Sequence, residues 1–233
     1  KKNFSYILIT SVLGVTIFNS FTYLSLQTSM VINSSIMTSI TPLLIIFFSW
    51  LIFKTPIYSR QFLGIILSLI GVIFIISKAN FKNLIDLNFT KGDLWMLSAV
   101  FSWGLYSVLL KKIDNTLSQL ATLEVMIFFG LIFIFPFYII ETFDNSYFPK
   151  DSNEFLMISY VAIFASITSF FAWNKGVSIL GANKASLFLH LIPVFSSIWA
   201  IFFLGENFSF FHLLGTAFII FGIILSNLNN KSI

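Results

Sequence analysis

The sequence predicts an all-α membrane protein with about eight transmembrane helices and an inverted repeat, and three observations carry that reading. The 233-residue chain is 58% hydrophobic and only 9% charged, whereas soluble domains carry about 25% charge. Its apolar residues run in blocks of about 20, the length that crosses a hydrocarbon core of about 30 Å. One set of marker residues also recurs at a fixed separation late in the chain. Thirteen basic and nine acidic side chains cannot clothe a water-soluble surface of this size, so lipid is the main solvent. Membrane strands would alternate polar and apolar residues over about ten positions. These blocks are apolar all round and about twice that length, so they read as helices.

The spans follow from length. The block from Phe4 to Phe53 would be about 75 Å long as one helix at 1.5 Å per residue, so it is two spans with the polar Gln27-Thr28-Ser29 as the turn. The same reasoning divides Glu154–Phe203 near Gly181. The predicted spans are 4–26, 31–53, 61–77, 93–111, 119–140, 154–175, 182–204 and 208–227. The third is the clearest, with 12 Ile, Leu, Val or Phe residues between Gln61 and Ser77; these favour insertion by roughly 4–7 kcal/mol. Lys1-Lys2 before an apolar stretch can imitate a signal peptide, but no small-residue cleavage site follows, so the stretch reads as a first span.

With the N-terminus inside, the inner loops hold Lys1, Lys2, Lys54, Arg60, Lys111, Lys112, Lys175, Lys184 and Lys231. The outer loops hold Lys78, Lys82, Lys91 and Lys150. That imbalance follows the positive-inside rule and places both termini in the cytoplasm. The net charge of +4 reflects the same bias. There is no basic run or aromatic-basic patch, so nucleic acid is not an expected partner. Cysteine is absent, which excludes disulfides and thiolate chemistry.

Pro42, Leu63-Gly64, Gly71 and Ile73 recur as Pro193, Leu214-Gly215, Gly222 and Ile224, and Ser35 recurs as Ser186, each 151 positions later. Spans one to three therefore correspond to spans six to eight. Because three is odd, the second copy starts on the opposite side of the membrane, the inverted-repeat plan of many secondary transporters. Paired glycines seven residues apart let two helices approach closely. Pro42 and Pro193 each remove a backbone hydrogen bond inside a span. They read either as simple kinks or as hinges with a freed carbonyl facing a cavity.

The stretch from Trp173 to Pro193, WNKGVSILGANKASLFLHLIP, resembles the drug/metabolite transporter superfamily and more narrowly its EamA-type branch. Leu204-Gly-Glu206, Leu214-Gly215 and Gly222 continue the likeness, and Trp103-Gly-Leu-Tyr106 with Lys111-Lys112 resembles the family's sixth span and its basic loop. The resemblance implies ten spans in two inverted five-helix repeats, of which this chain matches the third to the tenth. Truncation is then expected, since the first residue is Lys1. The implied domains are residues 1–77 as the remainder of the first repeat, 78–92 as an external linker, 93–227 as the second repeat and 228–233 as a cytoplasmic tail. Thr55 stands opposite Glu206, where the family often has an acid in both halves, so no symmetric acidic pair is expected.

Polar residues within hydrocarbon face protein, water or each other. The substrate-binding candidates are Asn19 and Tyr23 in the first span, Thr38 and Thr41 before Pro42, and Ser102, Trp103 and Tyr106 in the fourth span. Trp173 and Asn174 at the end of the sixth and His190 before Pro193 complete the set. Together they can line a cavity in which aromatics hold an apolar portion and amides or hydroxyls orient a polar one. Alternatively, the hydroxyls bond their own helix and Trp173, like Trp95, belongs to an interfacial belt. His190 is either a titrating site residue or a satisfied core histidine. His212 reads as interfacial, and Glu124 as a partner of Lys111 or Lys112 or part of a cytoplasmic gate. No Ser-centred elbow, phosphate loop, HExxH motif or metal set is present. An enzyme, a cofactor and a metal are therefore not expected. The resemblance, with the inverted repeat, implies a secondary transporter of a small organic metabolite, an amino acid or related compound, embedded in a bacterial inner membrane and exporting by alternating access. The alternative is a non-transporting membrane scaffold or receptor-like protein, and a homodimer is a candidate assembly.

Overall fold

The structure is a computed structural model that describes residues 2–80, 82–113, 118–144, 149–205 and 207–228. Lys1, Lys231 and Glu206, which carry sequence expectations, lie outside the described residues. Among those described, eight helices are long and apolar enough to span a bilayer. They are α1 Phe4–Leu26, α2 Val31–Phe53, α3 Ser59–Ile76, α4 Lys91–Lys112, α5 Gln119–Phe143, α6 Ser152–Leu180, α7 Ala182–Leu204 and α8 Phe210–Asn227. All eight predicted spans are present, with shifted ends. α6 runs past the expected boundary at Lys175 because Asn174 and Lys175 still fit a helix. It stops only at Gly181, whose φ of 79° leaves helical geometry.

α3 and α8 form the most extensive helix contact. A Cβ on Gly64 would lie 2.5 Å from the Gly222 carbonyl oxygen, and a Cβ on Gly71 would lie 2.5 Å from the Gly215 oxygen. The contacts are reciprocal and antiparallel, and only glycine permits them. Around this crossing, α4 packs on α1 and α2, and α5 packs on the middle of α1. α6 is nearly bare, with 6% of its most apolar window buried, and α7 has 11%, against 28% for α1 and 44% for α2.

Element boundaries recur at the sequence offset. α2 breaks at Ile40 and restarts over Thr41–Phe53; α7 tightens to a 3-10 turn over Leu187–Leu191 and restarts over Ile192–Leu204. Both restarts place proline in the first turn, where its missing N–H costs nothing. Both end in a left-handed residue, Lys54 (φ 52°) and Gly205 (φ 68°). A π-helical segment occupies Ser11–Ile17 of α1 and Val161–Thr168 of α6.

Candidate functional site

Two cavities enter the bundle from opposite ends. One, of about 640 Å³, opens at the end that carries Arg60, Lys111 and Lys184, and reaches in to Ser49, Asn174 and Asn183. The other, of about 520 Å³, opens at the end that carries Lys78 and reaches in to Thr38, His190 and Pro193. Between their depths on α2, α3, α7 and α8 lies an apolar septum. It consists of Ile46, Ile65 and Leu187 with Leu43 and Ile223 packed against them. Neither lining contains an aspartate or glutamate among the described residues.

At the basic end, an aromatic wall stands behind Asn174. The Trp103 ring centroid lies 4.4 Å from Phe18, 5.1 Å from Tyr106, 5.2 Å from Phe170 and 5.5 Å from Trp173. Tyr106 is fully buried and its hydroxyl donates to Asn174 Oδ1 at 2.6 Å, while Trp173 Nε1 donates to Ser107 Oγ at 3.1 Å. Across the cavity, Ser49 Oγ donates to Asn183 Oδ1 at 2.6 Å. Trp103, Tyr106, Trp173 and Asn174 are thus brought together, with Asn174 the member that lines the cavity.

The opposite cavity has His190 at its floor, 1% exposed. Its Nε2 lies 2.9 Å from the Ser39 carbonyl oxygen, and its Nδ1 lies 2.6 Å from Ser68 Oγ, which is also 3.0 Å from the Ile65 oxygen. A carbonyl only accepts, so Nε2 carries a proton and the neutral ring receives the Ser68 hydroxyl at Nδ1. On protonation, Nδ1–H donates to Ser68 Oγ, which turns its own proton to Ile65. The node therefore offers a hydrogen-bond partner to each ring nitrogen in either protonation state.

The remaining candidates fall elsewhere. Thr41 donates to the Thr38 oxygen at 2.5 Å, a bond within its own helix at the break before Pro42. Thr38 bonds its own helix through the Ser34 oxygen at 2.7 Å while lining the second cavity. Ser102 staples α4 to α1 through the Leu13 oxygen at 2.7 Å. Asn19 bonds back to Val15 at 2.8 Å, and Tyr23 is 54% exposed on the outside of α1. His212 is buried, caps α8 by accepting from Ser209 N at 3.1 Å, and lines the second cavity. Glu124 is exposed, and Lys111 and Lys112 lie over the Phe53 ring at 5.4 and 5.1 Å instead of pairing with it.

Sequence reasoning missed Asn183, Ser49 and Asp93. Asp93 is 1% exposed and accepts from Ser29 Oγ, from Asn33 Nδ2 at 3.0 Å and from Thr90 N at 2.6 Å, tying the start of α4 to the α1–α2 turn. The Thr90-x-x-Asp93 spacing is a capping-box signature that could have revealed it.

The model of the EamA-like transporter family matches residues 1–77 and 90–228. The uncharacterized transporter YyaM of Bacillus subtilis is 25% identical over 227 residues, covering 97% of this chain and 74% of its own. The uncharacterized transporter YetK of the same organism is 27% identical, covering 99% and 70%. The uncharacterized inner membrane transporter YicL of Salmonella typhimurium is 24% identical, covering 99% and 75%. One solved crystal structure superposes with a TM-score of 0.76 at 16% identity, over 95% of this chain and 75% of that one, a likeness of fold alone.

Proposed function

Because the chain belongs to the EamA-like transporter family, we propose that it is a secondary transporter that exports a small organic metabolite, an amino acid or related compound, by alternating access. The observation that carries this reading is the pair of cavities at opposite ends of one bundle, with an apolar septum between them. Alternating access needs one solute path that is never open to both sides. Closing one mouth while the septum parts is a small rearrangement when the helices can pivot. The glycine crossing of α3 and α8 and the proline breaks at Pro42 and Pro193 supply pivots.

The inverted-repeat reading is supported by the reciprocal glycine contacts and by the recurring element boundaries. Under it, residues 1–77 are the last three helices of one repeat and 93–227 the five helices of the other. The counterpart of the α4–α5 pair would then stand before α1 and cover the bare faces of α6 and α7. The basic end is the cytoplasmic one by the positive-inside rule.

Reconstitution of the full-length protein in proteoliposomes tests the reading. Expected is saturable flux of at least one solute from an amino-acid and organic-acid panel, abolished by a bulky septum variant such as Leu187→Trp. Folded protein that moves nothing in the panel would refute it.

A further inference from the structure

The basic-end cavity is rich in hydrogen-bond donors. Asn174 and Asn183 both line it, and each has its carbonyl oxygen already engaged by a hydroxyl from the surrounding wall: Tyr106 at 2.6 Å for Asn174, and Ser49 at 2.6 Å for Asn183. An amide has two ends, and the network decides which faces where. Tyr106 is fully buried among aromatic rings. Turning Asn174 over would set its NH₂ against the phenol oxygen and leave the phenol proton without this acceptor. Leaving a buried donor unmet is costly, so the amide is held one way round. Both asparagines are partly buried and retain their NH₂ groups for the cavity. Arg60, Lys111 and Lys184 surround the same space, and no carboxylate lines it among the described residues.

We propose that this cavity binds the carboxylate of a small organic acid through the side-chain NH₂ groups of Asn174 and Asn183, with the three cations supplying the field that draws the anion in. The proposal rests on the transporter reading for its purpose, though the binding site stands on its own geometry. Two amide donors and a positive surround favour an anionic oxygen and disfavour an ammonium group. The apolar part of the lining, Phe53, Val108, Met126 and Val177, suits a hydrocarbon remainder. The polar end of the solute, and not its bulk, is then what the site selects.

The isosteric variants Asn174→Asp and Asn183→Asp test this cleanly. Each new carboxylate still accepts from Tyr106 or Ser49, so the internal hydrogen bond and the fold are kept, while the cavity-facing donor becomes an acceptor. The probes are acid, amide and amine trios on phenyl, hexyl and isobutyl scaffolds, titrated by tryptophan fluorescence into the full-length protein in nanodiscs. Trp173 adjoins Asn174 and reports binding. Expected is tighter binding of at least one acid than of its matched amide and amine. Each Asp variant should weaken that acid by about tenfold or more, since charge-assisted hydrogen bonds are the strong ones. Melting curves confirm folding, and Asn183→Ala gives the same direction of loss without a new charge. The proposal is overturned if no acid binds, if amide or amine binds as tightly, if the Asp variants bind acids unchanged, or if inorganic phosphate competes as well as the organic acids. Flux separates the two readings. Acid-selective binding without transport defeats the transporter reading alone, and transport without acid preference defeats this one alone.

Discussion

Gly64 and Gly222 meet at the α3–α8 crossing, and replacing either with alanine should loosen it. A Cβ on Gly64 would sit 2.5 Å from the Gly222 oxygen and 2.8 Å from Ser226 N, where ordinary contact starts at 3.4 Å. The shortfall is about 0.9 Å against backbone that cannot turn aside. Separating two surfaces by 0.5–1 Å forfeits about a quarter to a half of their dispersion attraction. Helices in lipid have little else to hold them, because the surrounding tails are as apolar as their side chains. Overpacking of this kind costs roughly 1–3 kcal/mol, so Gly64→Ala is expected near 2 kcal/mol. The matched variant Gly222→Ala opens the same gap from the other side. The double variant should therefore cost less than the two singles together, by about 1 kcal/mol. Gly176→Ala is the control: its added methyl meets nothing within 4 Å, and alanine is the better helix former. SDS titration in micelles, followed by circular dichroism, measures all four. Strict additivity of the matched pair, or a Gly64→Ala protein as stable as Gly176→Ala, would refute the crossing as the tightest joint of the fold.

Three further outcomes are expected. Asp93→Ala should cost about 2–4 kcal/mol in the same titration, because Ser29, Asn33 and the Thr90 N–H all lose their shared acceptor. Since the chain has no cysteine, introduced thiols report access directly: Asn183→Cys and Ser196→Cys should be labelled from opposite membrane faces, and Leu187→Cys from neither in the state shown. His190→Gln should change the pH profile of flux, because glutamine keeps a donor and an acceptor but cannot take up a proton; an unchanged profile leaves the ring a structural role.

How much of this was legible in the sequence differs by level. Eight spans and the break near Gly181 could be read because each is a property of a run of residues. The destinations of individual side chains were not. Asn19 and Tyr23 follow the π-helical segment Ser11–Ile17. An extra residue in a turn rotates everything after it by about 100° relative to a regular helix. Four residues apart, Asn19 and Tyr23 share a side of α1, but where the π-helical segment aims that side does not follow from their spacing, and Tyr23 faces outward. The ten candidates were also expected around one cavity. Instead, Asn174 lies at one end, Thr38 and His190 at the other, and Ser102 and Thr41 bond within the bundle. Periodicity gives rotation about a helix axis, but depth relative to a septum depends on how neighbouring helices stagger. Asp93 did leave a sequence signal, yet a carboxylate at the edge of a linker looks the same whether solvated or clasped.

The contact between His190 and Ser39 is informative beyond its hydrogen bond. The two residues are 151 positions apart, the offset that relates Pro42 to Pro193 and Gly64 to Gly215. Under the repeat reading they are the same position in the two halves. A residue touches its own counterpart only near the axis that relates them, so the imidazole sits where rocking motion is least. The surroundings nevertheless break the symmetry, because the counterpart of Ser68 is Ile219, which is fully buried. Moving the ring across the axis, as Ser39→His with His190→Ser, should therefore fail to rebuild the node. Nδ1 would face an isoleucine, and an unmet buried polar atom costs about 1–3 kcal/mol. Adding Ile219→Ser should recover part of that loss by restoring a hydroxyl at the mirrored site. The swapped protein melting like the original, or Ile219→Ser giving no recovery, would count against placing His190 on the axis.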